Sequence, residues 1–441
     1  MKQTFQVGFG RTNITPAFGV PLAGYGNTHL RISNNVVSDL WVSCVAIRDT
    51  EGNDLLLISQ DLVNSVWSTE LRQILHSATG IPIENIILAS THTHCGPDQN
   101  SSLQSIKDWK PEYMLQLTLA AEAAIADRAA ADIYIGQTET EDLSFVRHYL
   151  MSDGSYAGDN FGDFNNNTVV AHAREVDPQL QVIRFDRSGA GKQSLLMVNW
   201  QCHPMWDARM VWKNVSSDYI GTTRDYLEEK TGDLFIFFQG AAGDHSSRSK
   251  FPQEVRVKDV KEFGQLLGDY VLQAVGNMKQ LEAAPIQVKQ VMFEGDVNHT
   301  MEDKLDLAQE VEDLYRKTDR DTGNVLAWEY GFSSVYHTNA VLRRSKYEAT
   351  RTMEISAIRI GQLAFVTAPY EMFGSHGITI KAGSPYESTF VLGYCNGAYG
   401  YIPNTHAYDY GCYESHTGNF TRETGDQLAE TYISMLQDLQ N

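Results

Sequence analysis

The chain has 441 residues, 42% of them apolar and 20% charged, the composition of an ordinary globular protein rather than a disordered one. With 35 basic against 55 acidic side chains its net charge is −20, which argues against electrostatic binding to nucleic acid or to anionic lipid headgroups. No apolar run approaches the ~20 residues of a membrane span. Residues 1–7 lack the apolar stretch of a secretion leader, and five scattered cysteines (Cys44, Cys95, Cys202, Cys395, Cys412) form no CxxC pair, so the sequence reads as cytoplasmic with reduced, buried thiols.

In chain order, 55–59 reads as a strand ending at Gln60-Asp61, and 68–76 as a helix stopped by Gly80. Residues 86–89 form a strand that breaks into Ser90-Thr91-His92-Thr93-His94-Cys95-Gly96-Pro97-Asp98. An Ala-rich helix is expected over 111–131. Strands follow at 181–185, 194–200 and 234–238, then helices near 257–278 and 303–317. Strands at 352–360, 363–367 and 389–394 precede a closing helix near 424–439. No internal repeat, low-complexity tract or linker is visible, so 1–441 reads as a single domain. Continuous Val/Ile/Leu/Phe runs separated by helices predict a sheet covered on both faces, an α/β fold with a layered mixed-sheet core covered by helices.

Six of these runs end in polar, chemistry-capable residues, the place where ligands sit in open α/β sheets. Two residues apart on a strand, His92 and His94 point the same way and can face one metal or substrate. The 194–200 run enters Gln201-Cys202-His203-Pro204, and 234–238 enters Gln239-Gly240-Ala241-Ala242-Gly243-Asp244-His245-Ser246. The 363–367 run enters Ala368-Pro369-Tyr370-Glu371, and 389–394 leads to Gly400-Tyr401. Two histidines from separate strands plus a carboxylate, His92, His203 and Glu371, match the donor count of a catalytic zinc with an open position for water. On an alternating strand Cys95 and Cys202 point away from that metal. Glu371 has an alternative role as a cap for the helix that follows it.

The order Gly10-Arg11-Thr12-Asn13-Ile14-Thr15-Pro16, Pro21-Leu22-Ala23-Gly24-Tyr25-Gly26, Thr91-His92-Thr93-His94-Cys95-Gly96-Pro97, Val176-Asp177-Pro178-Gln179-Leu180 and Ser217-Asp218-Tyr219-Ile220-Gly221 resembles the neutral/alkaline ceramidase family across residues 5 to 440. The resemblance implies one zinc held by His92, His203, Glu371 and Tyr401, with Tyr399 as the nearby competitor. It implies roles beside the metal for His94 and Arg147, a site tyrosine at Tyr413 (Tyr408 and Tyr410 being the alternatives), and a site serine at Ser246. Ser247-Arg248-Ser249 departs from the family's Pro-Asn. The family's C-terminal sandwich domain and secretion signal find no counterpart, which points away from ceramide and toward a smaller soluble amide or ester.

The expected chemistry is hydrolysis of an N-acyl amide, the substrate being a small molecule or lipid-like. His94 would carry the proton to the leaving amine, Arg147 and Tyr413 would stabilise the oxyanion, and Ser246 would anchor substrate or act as nucleophile. Two other readings remain. A two-metal phosphoesterase would use His92, His94, Asp98, Asp61 and Asp244, and a binding scaffold would have lost its chemistry. A serine hydrolase is disfavoured because no Gly-x-Ser-x-Gly elbow surrounds Ser246.

Overall fold

The computed structural model describes residues 4–26, 30–210, 212–251 and 257–440; residues 1–3 of the segment read as leader-free lie outside them. Among the described residues, the main strands fall into three units of one topology. Each unit is three strands in antiparallel succession, then a helix, then a fourth strand parallel to the third. In the first, β1 (Phe5–Asn13), β2 (Trp41–Arg48) and β3 (Asp54–Gln60) lead through α1 (Ser68–Thr79) to β4 (Ile86–Ser90), and α2 (Gln104–Ala126) follows. The second runs β5 (Ala129–Glu139), β6 (Gln179–Arg187), β7 (Leu195–Trp200), α3 (Asp218–Thr231), β8 (Leu234–Gln239), then α4 (Val260–Val275).

The third unit begins with β9 (Ile286–Asp296). It then carries an inserted helical cap of α5 (Leu305–Lys317), α6 (Arg320–Glu329) and α7 (Val335–Arg344). It resumes with β10 (Thr350–Ile360), β11 (Leu363–Thr367), α8 (Gly374–Gly383), β12 (Ser388–Leu392) and α9 (Thr424–Asp438).

The first two units share one sheet in the order β8-β7-β6-β5-β1-β2-β3-β4; the third forms its own sheet, β9-β10-β11-β12. The α/β layering expected from sequence holds: helices cover the outer face of the first sheet, and a second sheet covers its inner face. Val7, Ile47, Leu57, Ile183 and Ile236 of the first sheet share a core with Ile358, Phe365, Phe390 and Leu392 of the second. The outer face of the first sheet packs α1 and α2 on one half and α3 and α4 on the other. The outer face of the second packs α8 and α9. A strand buried between two sheets is as continuously apolar as one buried between helices, so the sequence does not distinguish them.

The helix expected over 111–131 is shifted: α2 starts at Gln104, keeps Pro111 inside it and ends at Ala126. Ala129, Ala130 and Ala131 pair instead with Val7, Gln6 and Phe5 of β1, because the sheet needs a partner there and alanine's helix preference is small. The Gly10-Arg11 motif has a packing origin. A Cβ on Gly10 would stand 2.1 Å from the Ala120 carbonyl oxygen, and one on Gly8 would stand 1.9 Å from that of Ala124, so α2 lies directly on the β1 backbone.

The first sheet coils until its edges approach one another. The Ser59 hydroxyl of β3 donates to the Phe237 carbonyl of β8, and Gln239 Nε2 donates to the Thr91 carbonyl beyond β4. The segment after β12 seats in the gap: Ser90 N–H donates to the Tyr394 carbonyl, Asn396 N–H to Leu88, and Gly393 N–H to Gln239. The carboxyl ends of strands from all three units therefore meet at one place. Gly10→Ala is expected to force α2 off β1 and lower stability by about 1–3 kcal/mol, measured as the shift of the urea midpoint at unchanged slope; an unshifted midpoint would contradict the contact.

Candidate metal centre

His92 and His94 lie beyond β4, in the turn after it, so the strand-alternation argument for their common direction does not apply. The turn brings them together by another route. His92 takes a left-handed backbone, φ 68°, a costly conformation for a residue with a Cβ and one found mainly where surrounding contacts impose it. Its Nδ1 is 2.6 Å from the Val63 carbonyl, and Tyr394 stacks on its ring at 4.0 Å. His203, beyond β7, has Nδ1 2.7 Å from the Ala242 carbonyl. A carbonyl only accepts, so both Nδ1 atoms carry hydrogen, and in the neutral imidazole each Nε2 then presents a lone pair.

Those two lone pairs face each other at 3.2 Å, and His94 Nε2 is also 3.2 Å from His92 Nε2. Glu371 Oε2 lies 3.2 Å from His92 Nε2 and 3.4 Å from His203 Nε2. Four donors 2.0–2.1 Å from one ion at tetrahedral angles stand ~3.3 Å apart. His92 Nε2, His203 Nε2 and Glu371 Oε2 have the spacing and chemistry of three such donors around a zinc-sized cation. Glu371 does not cap α8, whose N-cap is Phe373. It pairs in parallel with Tyr401, its N–H donating to the Gly400 carbonyl, which puts the two side chains side by side on one face. Tyr401 lies parallel to the His203 ring at 6.5 Å, whereas the Tyr399 hydroxyl donates to the Thr352 carbonyl.

His94 differs from the other two imidazoles: its buried Nδ1 has no hydrogen-bond partner among the described residues. Gly24 makes room for its ring, since a Cβ there would come within 2.4 Å of His94 Cγ. Burial, then the neighbouring His92, holds the His94 pKa well below the ordinary value; burial and Arg147 lower His203 to about 4. Burial alone would raise the Glu371 pKa, but His92 and His203 outweigh it and hold the carboxyl well below the usual range.

Arg147 is fixed by Glu414, with Nη2 2.5 Å from Oε1, and by the Gly243 carbonyl at 2.9 Å, and its guanidinium sits 5.6 Å from the Tyr401 ring centre. Behind it, His148 Nε2 lies 2.9 Å from Glu414 Oε2 and its Nδ1 2.7 Å from the Tyr410 hydroxyl. His148, Cys412 and Glu414 form a second group with metal-ligand spacing, but its carboxylate is already shared between Arg147 and His148. The Tyr410 and Tyr408 hydroxyls are engaged, the latter with the Phe420 carbonyl, whereas Tyr413 stands edge-on to Tyr401 at 5.9 Å. His94, Arg147, Tyr401 and Tyr413 line a cavity of about 610 Å³. A second lobe of about 640 Å³ shares Tyr401 and Tyr413 and reaches Glu371.

Ser246 lines neither lobe. Its backbone bridges to His203, and its hydroxyl accepts from the Arg248 amide. Asp61 holds Arg224 and the Trp41 amide; Asp244 holds Arg174 and the Gly374 amide. Both aspartates are thus committed away from the histidines. All five cysteines are free and buried.

Two supports of the site had no assigned role in the sequence reading. Gln239 Nε2 donates to the Thr91 and Cys202 carbonyls, tying together the turns that carry His92 and His203, and its Oε1 accepts from Cys202 N–H. Its only signal in sequence is a polar side chain closing a buried run. The Ser217–Gly221 motif holds the His203 turn from below: the Tyr219 hydroxyl donates to the Cys202 carbonyl and Asp218 Oδ2 accepts from Asp207 N–H.

Comparison with solved structures finds the same architecture in ceramidases, among them the following two. One is neutral ceramidase from Pseudomonas aeruginosa, at TM-score 0.74 and 18% identity, covering 100% of this chain and 75% of that one. The other is a ceramidase complexed with C2, at TM-score 0.73 and 16% identity, covering 100% and 76%. The chain has the ceramidase-like fold. No protein-family profile and no curated protein sequence matches it. Among the described residues no helix of this ceramidase-like chain is long and apolar enough to cross a membrane.

Asp218 yields a test of the support. Burial, then the Asp207 charge, raises its pKa to about 7. Between the ordinary carboxyl range and that value the unfolded chain releases a proton that the folded chain keeps, so the native state loses stability as pH rises from about 4 to about 7. Asp218→Asn cannot ionise. Relative to wild type it should therefore gain on the order of 2–3 kcal/mol between pH 5 and pH 8. Urea unfolding at the two pH values measures this, and a pH-independent difference would refute the shift.

Proposed function

We propose that the chain is a zinc-dependent hydrolase of linear N-acyl amides, acting as one catalytic domain over residues 1–441. The carrying observation is the meeting of two carbonyl-oriented imidazole lone pairs with an unprotonated carboxylate oxygen at 3.2–3.4 Å. The ceramidase-like fold supports hydrolysis as the reaction class. The five free, buried thiols suit a reducing, cytoplasmic setting.

His92, His203 and Glu371 would hold the ion, with Tyr401 completing the set beside Glu371. A zinc ion, when bound, supplies a Lewis acid for the scissile carbonyl and lowers the pKa of a water toward ~7. His94 is assigned the proton: its Nε2 is at the cluster, its Nδ1 is unanchored, and burial keeps it neutral and able to accept. The proton then passes from His94 to the leaving nitrogen. Arg147, clamped by Glu414, and Tyr413 face the cavity as donors to the oxygen that gains charge. Ser246 supports the His203 turn and takes no covalent step, being buried outside both lobes. The commitment of Asp61 and Asp244 to arginines disfavours the two-metal reading.

After a chelator wash, elemental analysis should find about one zinc per chain in wild type and none in His203→Ala, with turnover lost in the variant. Full activity in His203→Ala would sink the assignment. Arg147→Lys keeps the charge but loses the fork held by Glu414. It should lower kcat about 10²-fold on an N-acyl amide that wild type hydrolyses, with zinc content unchanged. Loss of zinc in that variant would instead make Arg147 a structural residue.

A further inference from the structure

The second lobe of the cavity starts at Glu371 and runs beneath the helical cap. Its walls are polar. Two buried groups of residues that line it have no hydrogen-bond partner among the described residues, Glu312 Oε2 and Asn396 Nδ2, and between them the Tyr315 hydroxyl lies against that of Tyr336. Each residue is more than nine-tenths buried, with relative exposures of 6%, 7% and 8%.

The three are held in place. Glu312 and Tyr315 lie one turn apart on α5 and share a face. Glu312 Oε1 accepts from Arg316, which leaves Oε2 open. Asn396 is held at both ends of its peptide: its N–H donates to the Leu88 carbonyl, and its Oδ1 accepts from the Leu88 N–H at 2.9 Å. A backbone N–H only donates, so that contact fixes the amide orientation and leaves Nδ2 as the open donor. The cationic groups of the lobe are engaged elsewhere. Arg343 donates to Asn419 and to the Thr417 carbonyl, and Arg351 lies over the rings of Tyr347 and Tyr399.

A buried acceptor and a buried donor are costly beside an alkyl chain, because each stays unpaired, and the Tyr315 hydroxyl next to them can both donate and accept. They match a group that alternates donors and acceptors without net charge. We infer that this lobe is a subsite for a hydroxyl-rich, uncharged part of the substrate, a polyol or sugar-like group attached to the scissile amide. The inference rests on the amide-hydrolase reading and names its substrate class.

The test uses the zinc-loaded full chain and a matched pair of amides, N-acetylglucosamine and N-cyclohexylacetamide. The hydroxylated amide should show at least a tenfold higher kcat/KM, and that preference should fall at least fivefold in Glu312→Gln and in Tyr315→Phe. Turnover of both amides without preference, or a preference that survives both substitutions, would overturn the subsite while leaving the hydrolase reading intact. If neither amide turns over, calorimetric titration with glucosamine and cyclohexylamine decides. Tighter glucosamine binding that both variants abolish supports the subsite; equal or absent binding overturns it. Zinc content and turnover of other N-acyl amides judge the hydrolase reading separately.

Discussion

Two buried imidazoles present lone pairs to each other at 3.2 Å with a carboxylate against both, and much of the molecule is arranged to hold them there. With both imidazoles neutral and no cation between them the arrangement is unfavourable: two acceptors meet, and Glu371 Oε2 faces no donor among the described residues. A dication would reverse that balance, since every donor would then face positive charge in a region of low dielectric. The carbonyls of Val63 and Ala242 fix the tautomers, and the left-handed backbone at His92 is the local cost of aiming its ring inward.

The architecture makes that convergence possible. Each of three β-β-β-α-β units has a parallel pair whose carboxyl ends point one way, and the coiled first sheet brings its own two edges together. The first unit delivers His92 and His94, the second His203, and the third Glu371 and Tyr401. Backbone hydrogen bonds from 393–396 lock the third unit between the other two, and Gln239 ties the two histidine turns. The cap inserted between β9 and β10 then covers the lobe that opens beside Glu371 and Tyr401.

Much of this was legible in the residues. The six runs that end in polar residues are β3, β4, β7, β8, β11 and β12, the parallel pair of each unit. They stood out because parallel strands are buried on both faces and read as unbroken apolar runs. The donors at their ends were legible for the same reason, as polar residues placed where a buried strand stops. The rest was hidden by tertiary context. β1, β2, β5 and β9 read as less distinct because polar residues and glycines interrupt them, and Ala129–131 had the composition of a helix. The threefold topology left no sequence repeat, since strand order survives where residue identity does not. Glu414 and Gln239 act through partners about 270 and 150 residues away, Arg147 and Thr91, and no local pattern announces such a contact. Ser246 matched the resemblance in position, yet its hydroxyl faces the Arg248 amide and not the cavity.

The central claim is that one cation binds at the point where the two imidazoles and the carboxylate meet. Diffraction data collected on either side of the zinc absorption edge, from crystals of the protein purified without added metal, test it most directly. The account predicts a single anomalous peak about 2.0–2.2 Å from His92 Nε2, His203 Nε2 and Glu371 Oε2. Two peaks ~3.5–4 Å apart, or a water with hydrogen bonds to the imidazoles and no anomalous signal, would contradict it.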